Sequence, residues 1–189
     1  MSAPAMSRLL LSLLAGAFLG AAVPSAADQD DARLEPLFER LRTAANAALA
    51  DDVEGEIWRI WLQSGDEDLN RLLAEGMRAM QVGDSERALA IFDRVVARAP
   101  GFAEGWNKRA TVHWLRNEYS DSMRDIQQTL RLEPRHFGAL SGMGLIFDEL
   151  EDPEGALRAF DAVLRIHPHA RGARERVEAL RQELQNRIL

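Results

Sequence analysis

The 189-residue chain contains no cysteine. That absence excludes disulfide cross-links and a lipid-modified N-terminal cysteine, so the fold must rest on packing alone. Excess positive charge is lacking too. Thirty acidic residues against 23 basic ones give a net charge of −7, without the basic stripe a nucleic-acid partner requires. Lysine is nearly absent, Lys108 being the single one, and the bias toward arginine points to a bacterial genome rich in G and C. Long apolar runs are scarce. The one from Leu9 to Val23 is interrupted by Ser12 and spans 15 residues. That is short of the roughly 17–25 that cross a bilayer as a helix.

The flanks of that run carry a pattern of their own. Arg8 precedes it, and Pro24 with Ser25-Ala26-Ala27 follows before the first acid, Asp28. A charged start, a short apolar segment and small residues at the end are the layout of a secretory leader. The expectation is a signal peptide over residues 1–27, cleaved after Ala27, with an uncleaved N-terminal anchor as the alternative. Export from a bacterium would place the remaining chain in the periplasm with no further membrane span. Residues 28–189 amount to roughly one domain.

Three prolines, Pro100, Pro134 and Pro168, stand 34 residues apart. In that frame the segments 69–102, 103–136 and 137–170 align. Position 4 holds Leu72, Trp106 and Leu140, position 8 Gly76, Ala110 and Gly144, and position 11 Ala79, His113 and Phe147. Position 20 holds Ala88, Ser122 and Ala156, position 24 Phe92, Ile126 and Phe160, and position 27 Val95, Thr129 and Val163. Apolar residues recur three and four apart within each unit, which predicts a pair of amphipathic helices. Small residues at positions 8 and 20 let the two helices approach, and the large one at 24 fills the space beside them. Gly83-Asp84-Ser85 opens one second helix; Asp152-Pro153-Glu154 opens another, with Asp as cap and Pro in the first turn. Each closing proline follows a helix it could not extend.

With these positions the chain resembles a tetratricopeptide-repeat (TPR) protein, whose unit is a 34-residue helix–turn–helix. The resemblance implies an all-α solenoid of antiparallel helix pairs wound into a right-handed superhelix. Residues 69–102, 103–136 and 137–170 would be its three repeats. Within residues 28–68, residues 35–68 follow the frame loosely, with Arg42 at position 8 and Glu54 at position 20, and the segment reads as a divergent repeat or an N-terminal cap. Trp58 and Trp61 fall on its apolar side, as core residues. Residues 171–189 form a capping helix with an apolar stripe of Val177, Leu180 and Leu184.

Several groupings suggest chemistry and lose it in this frame. In Leu132-Glu-Pro-Arg-His-Phe-Gly-Ala-Leu-Ser-Gly-Met-Gly144, the glycines sit on a helix, not in a phosphate-binding loop after a strand. Glycine within a helix costs about 1 kcal/mol relative to alanine, so something must pack close to them: the neighbouring repeat, or a bound chain. His136 beside Ser141 lacks the strained turn and oxyanion donors of a nucleophile pair. His167-Pro168-His169 offers only two candidate metal ligands at a repeat boundary. Asp66-Glu67-Asp68 reads as helix-start acids rather than a calcium loop. Arg109 at position 7 is expected to pair with a nearby acid, for instance Glu75 or Glu104, and to fix the angle between repeats one and two. No catalytic residue, metal ligand or cofactor is expected.

The resemblance directs attention to the concave face, where first-helix positions 2, 5, 9, 12 and 13 hold a partner's peptide or helix. These map to Asn70, Leu73, Met77, Met80 and Gln81, then to Glu104, Asn107, Thr111, Trp114 and Leu115. In repeat three they map to Gly138, Ser141, Leu145, Asp148 and Glu149. The expected groove is therefore Asn70, Leu73, Met77, Met80, Asn107, Thr111, Trp114, Ser141, Leu145 and Asp148. Methionine suits tolerant apolar recognition and tryptophan anchors interfaces; Trp114 either does so or covers an inter-repeat seam. Family members that clamp chaperone C-terminal carboxylates use basic side chains where this chain has Gly138 and Gly142, which argues against that ligand. The expected function is a non-enzymatic protein-binding module or scaffold of the bacterial envelope. A self-assembling structural protein, with homo-oligomers, is the alternative. An enzyme acting on an envelope polymer is a weaker one, because Asp148 and Glu149 point about 100° apart on a helix.

Overall fold

The computed structural model describes residues 28–187; the expected signal peptide lies outside them. A 3-10 turn, Asp28–Asp30, leads into α1 (Leu34–Arg42) and α2 (Ala47–Trp61). Three hairpins follow: α3 (Glu67–Gln81) with α4 (Ser85–Arg98), α5 (Ala103–Leu115) with α6 (Tyr119–Leu132), and α7 (Phe137–Glu149) with α8 (Pro153–Ile166). The last helix is α9 (Arg171–Asn186). From α3 to α9 each helix packs on the next, and α5 also touches α3 and α7, so the first helices of the hairpins line one side of an all-α solenoid. Among the described residues no helix is long and apolar enough to cross a membrane.

Local chemistry sets the helix starts. Asp66 accepts from the backbone N–H of Asp68 (2.8 Å) and Leu69 (3.1 Å), Asp84 from Arg87 (3.1 Å) and Asp152 from Gly155 (2.8 Å). Each satisfies N–H groups that a helix start leaves without a partner. The turn within each hairpin needs one residue with positive φ at position 15: Gly83 (78°), Asn117 (60°) and Glu151 (57°). Glycine meets that need freely and asparagine tolerates it, whereas glutamate is strained there.

Close packing follows the small and large positions. A Cβ on Gly76 would lie 2.5 Å from the Phe92 ring, and one on Gly144 2.7 Å from Phe160. Repeat two combines the larger Ala110 with the smaller Ile126, both buried, and Ser122 Oγ donates to the Ala110 carbonyl at 2.8 Å.

The N-terminal pair departs from the repeat frame. It adds no further turn in front of α3; α1 packs on α8, and both helices share a core with Phe137, Phe160, Val163, Val177 and Leu180. The two positions that must be small carry Arg42 and Glu54, so α1 and α2 cannot close as the other hairpins do. They dock instead along the edge formed by the turns between repeats. Gln29 Nε2 donates to the Gly101 carbonyl (2.7 Å), Arg135 Nη1 to Glu35 (2.7 Å), and His169 Nε2 to the Ala44 carbonyl (2.8 Å). One segment thus ties down all three inter-repeat turns. Trp61, read from the sequence as core, is buried in this seam.

Candidate functional site

Five of the ten expected groove residues meet in one pocket. Asn107, Thr111 and Trp114 come from α5, and Ser141 and Leu145 from α7; their spacing along each helix sets them on facing sides of a cavity of about 200 Å³. Ala110, Ser122, Ile126, Gly138 and Gly142 complete the lining. The hydroxyls have already donated to their own helices: Thr111 Oγ1 to the Asn107 carbonyl (3.0 Å) and Ser141 Oγ to the Phe137 carbonyl (2.8 Å). Toward the pocket they present lone pairs. Trp114 packs on the core of Ala110, Ile126, Ala139 and Ile146, and its indole N–H is buried without an acceptor among the described residues. It therefore covers the inter-repeat seam and walls the pocket at once. Leu145 and Leu115 stand exposed beside it.

The other five expected residues stand elsewhere. Leu73 is a core residue, 1% exposed, because α4 closes over that face of α3. Met77 and Met80 are half-buried against the same core. Asn70 Oδ1 accepts from the Ser64 N–H and hydroxyl, both at 2.7 Å, and so pins the loop before α3. Asp148 accepts two bonds from Arg176 of α9, at 2.6 and 2.8 Å, which fastens the final helix. Glu104, on the groove by position alone, lies under the N-terminal pair, and Gly138 lines the pocket while also meeting Trp58.

That cover is a buried polar cluster. The Trp58 ring sits where a Cβ on Gly138 would lie, 2.7 Å from Cη2, and Trp61 stacks on His136 at 4.1 Å between ring centroids. His136 is fully buried; its Nδ1 accepts from the Ala139 N–H (3.1 Å), so the ring proton is on Nε2, which donates to Glu104 Oε2 (3.0 Å). Asn107 Nδ2 also donates to Glu104 (2.9 Å), and Lys108 Nζ lies 2.7 Å from its other oxygen. Burial pushes the Glu104 carboxyl up, but the Lys108 charge and the His136 and Lys108 hydrogen bonds outweigh it and hold it below the usual range. Lys108 also lies 5.2 Å from the Trp58 ring centroid. The only lysine is thus matched and covered.

The remaining histidines and Arg109 are equally committed. His136 bonds to Glu104 and not to Ser141. His167 Nε2 donates to Glu54 (3.0 Å), whose other oxygen accepts from the Trp58 indole (3.0 Å). Arg109 does pair with acids, but the partners are not Glu75 or Glu104. It grips Asp125 of α6 with two bonds of 2.7 Å and reaches Asp93 of α4 at 2.8 Å. Glu75 pairs with Arg87 instead, and Glu104 is enclosed by the cluster above. Among the described residues no group of three or more His, Asp and Glu side chains could hold a metal ion.

The three glycines of α7 have three separate causes. Gly144 admits Phe160 of its own hairpin, Gly142 faces Ile126 of the preceding one (3.4 Å), and Gly138 admits Trp58 from the N-terminal pair. Position 2 meets Trp58 because α2 docks beside the start of α7, a relation that periodicity does not carry. Only the surplus of glycine in α7 hinted that a large ring sat against it.

A solenoid of helix hairpins with a pocket between successive first helices defines a class of repeat protein. The chain belongs to the tetratricopeptide-repeat family, whose profile, described as "Tetratricopeptide repeat", matches residues 73–130 and 117–171. It is 36% identical over 152 residues to a TPR repeat-containing protein of Rhizobium etli, covering 80% of this chain and 74% of that one. A match to small glutamine-rich tetratricopeptide repeat-containing protein 2 of Saccharomyces cerevisiae is 28% identical over half of this chain and 28% of that protein. The first TPR of Spaghetti (RPAP3), solved with an HSP90 peptide, superposes with a TM-score of 0.60 at 18% identity, over 63% of this chain and 94% of that one. MamA superposes with a TM-score of 0.57 at 17% identity, over 78% of each chain. At these identities the structural likeness concerns the fold.

Proposed function

We propose that this chain is a non-enzymatic interaction module of the bacterial cell envelope, holding an extended segment or helix of another protein against α5 and α7. One observation carries the reading. Asn107, Thr111, Trp114, Ser141 and Leu145, from two successive first helices, converge on one pocket with an exposed apolar rim. The peptide bound by the first TPR of Spaghetti is consistent with a protein ligand, since fold alone does not fix function. The relative in Rhizobium etli supports a bacterial source, and the leader-like pattern of residues 8–27 supports the envelope location.

A photo-crosslinking residue at Leu145 of the full chain, expressed in its own cells, tests the reading. The expected result is one dominant foreign partner at Leu145 and none at the exposed Gln127 of α6. Capture of its own copies would replace the adaptor reading with self-assembly. A folded protein that captures nothing at Leu145 would overturn the groove.

A further inference from the structure

Resting on that docking reading, we infer that the α5–α7 pocket selects a segment presenting one uncharged, aliphatic-sized side chain and rejects acidic or carboxylate-ended tails. Its volume of about 200 Å³ falls below the roughly 300 Å³ at which small-molecule sites begin, so it suits a side chain rather than a whole ligand. Every lining residue is uncharged. The two cations between lining residues Asn107 and Ala110 are both committed: Lys108 is matched by Glu104 at 2.7 Å and sits against the Trp58 ring, and Arg109 is held by Asp125 and Asp93. A carboxylate entering here would find no free counter-charge and would remain a buried, unpaired ion.

Hydrogen-bond polarity points the same way. Thr111 and Ser141 have donated to their own backbones, so they offer acceptors, which suit the N–H groups of an extended chain and repel carboxylate oxygens. The buried Trp114 N–H is the complementary donor once its ring turns toward a docked carbonyl. A partner backbone, with both donors and acceptors, meets this set; an acidic terminus does not.

The test is selection from a random dodecapeptide phage library on the full chain, followed by binding of the enriched sequences as fluorescent, C-terminally amidated peptides. Two variants locate binding. Gly142→Leu fills the pocket: its Cβ would meet Ile126 Cδ1 at 3.4 Å, an ordinary contact, and a helical glycine is replaced by a better helix former. Leu145→Glu alters only an exposed rim residue. Thermal melts confirm that both fold. Enriched peptides should share one aliphatic or methionine residue without net negative charge, bind at least tenfold more weakly to both variants, and lose affinity when an Asp replaces the shared residue. Acidic peptides that lose binding in both variants would overturn this inference while leaving docking at the groove intact. No enrichment, or binding indifferent to both variants, would overturn the docking reading and this inference with it.

Discussion

Arg109 shows how a single residue can depart from a repeat and still satisfy it. Repeat three holds Met143 and Ala159 at the two positions where repeat two holds Arg109 and Asp125. The apolar pair has been exchanged for a charged one, and Asp125 is only 4% exposed. Removing the arginine alone leaves that carboxylate buried with, among the described residues, only His113 Nε2 near it, at 3.9 Å. Arg109→Met should therefore cost about 2–3 kcal/mol, nearer the lower end for broken buried pairs because Asp93 holds one edge in solvent. Arg109→Met with Asp125→Ala, which copies repeat three, should recover most of the loss in urea unfolding. If the double variant is no more stable than the single one, the arginine has a second role. The sequence made Arg109's need for an acid legible, because an arginine at an apolar position must be paired. It did not reveal which acid, since Asp125 and Asp93 are each 16 residues away and reach it only once the helices are packed. Glu151 was silent in the sequence for a related reason: nothing in a glutamate announces a φ of 57°. Glu151→Gly should add about 1 kcal/mol by relieving that strain, seen as a rise of roughly 2–4 °C in melting temperature. Asn117→Gly should change it little.

At the scale of the element, α7 carries the contrast that separates packing from propensity. Gly144→Ala gains helix propensity but drives a Cβ into a buried phenylalanine ring, 2.7–2.9 Å from three of its atoms. The overpacking cost of about 1–3 kcal/mol should exceed the gain. Gly142→Ala meets only the tip of Ile126 and should stabilise the chain by up to about 1 kcal/mol. Chemical denaturation of the two variants should give shifts of opposite sign; a shared sign would show that helix propensity, not the neighbouring ring, governs α7. The hairpins themselves were readable because their 34-residue period repeats the same local problem three times. The N-terminal pair was not, because it solves a different one. Arg42 and Glu54 signalled that α1 and α2 could not close as a repeat, but the edge they dock on is assembled from turns up to 125 residues away in sequence. The groove was legible to the same extent. Where lining depended on position within a helix, as for Thr111, Trp114, Ser141 and Leu145, the frame located it. Where it depended on what covers a position, as for Glu104, the frame had nothing to say.

The molecule as a whole is a solenoid whose open edge is held by its own N-terminal segment, and two carboxylates support the hold, one directly and one indirectly. Glu54 of α2 bonds across the seam to His167, whereas Glu104 bonds within the repeats to His136, on which Trp61 of α2 stacks. Glu54 is held below the usual carboxylate range by its hydrogen bond from His167, with the Trp58 indole assisting and burial opposing. Glu104 is also held down, against its burial, by Lys108 and His136. A carboxyl whose pKa is lower folded than unfolded contributes stability fully above its unfolded value. That contribution is lost as pH falls through the folded value. The reference value is 4.5 for both, so the seam should be at full strength above about pH 5 and weaken progressively below 4.5. Two exposed carboxylates are depressed as well, Asp66 chiefly by the Leu69 backbone N–H with Arg98 assisting, and Glu75 by Arg87. The arginine pairing at such exposed sites is screened by salt, whereas a buried pair is screened far less. Measured in 0.5 M salt between pH 6 and pH 3.5, amide hydrogen exchange should therefore accelerate first in α1 and α2, ahead of α3 to α6. Glu104→Gln should lower the melting temperature at pH 6 and flatten its fall on acidification. Uniform loss of protection along the chain would mean that acid acts on the fold at large and not on this seam. Because Trp58 lies directly on α7 beside the pocket, opening of the seam by acid would also lengthen the groove, exposing Glu104 to a partner.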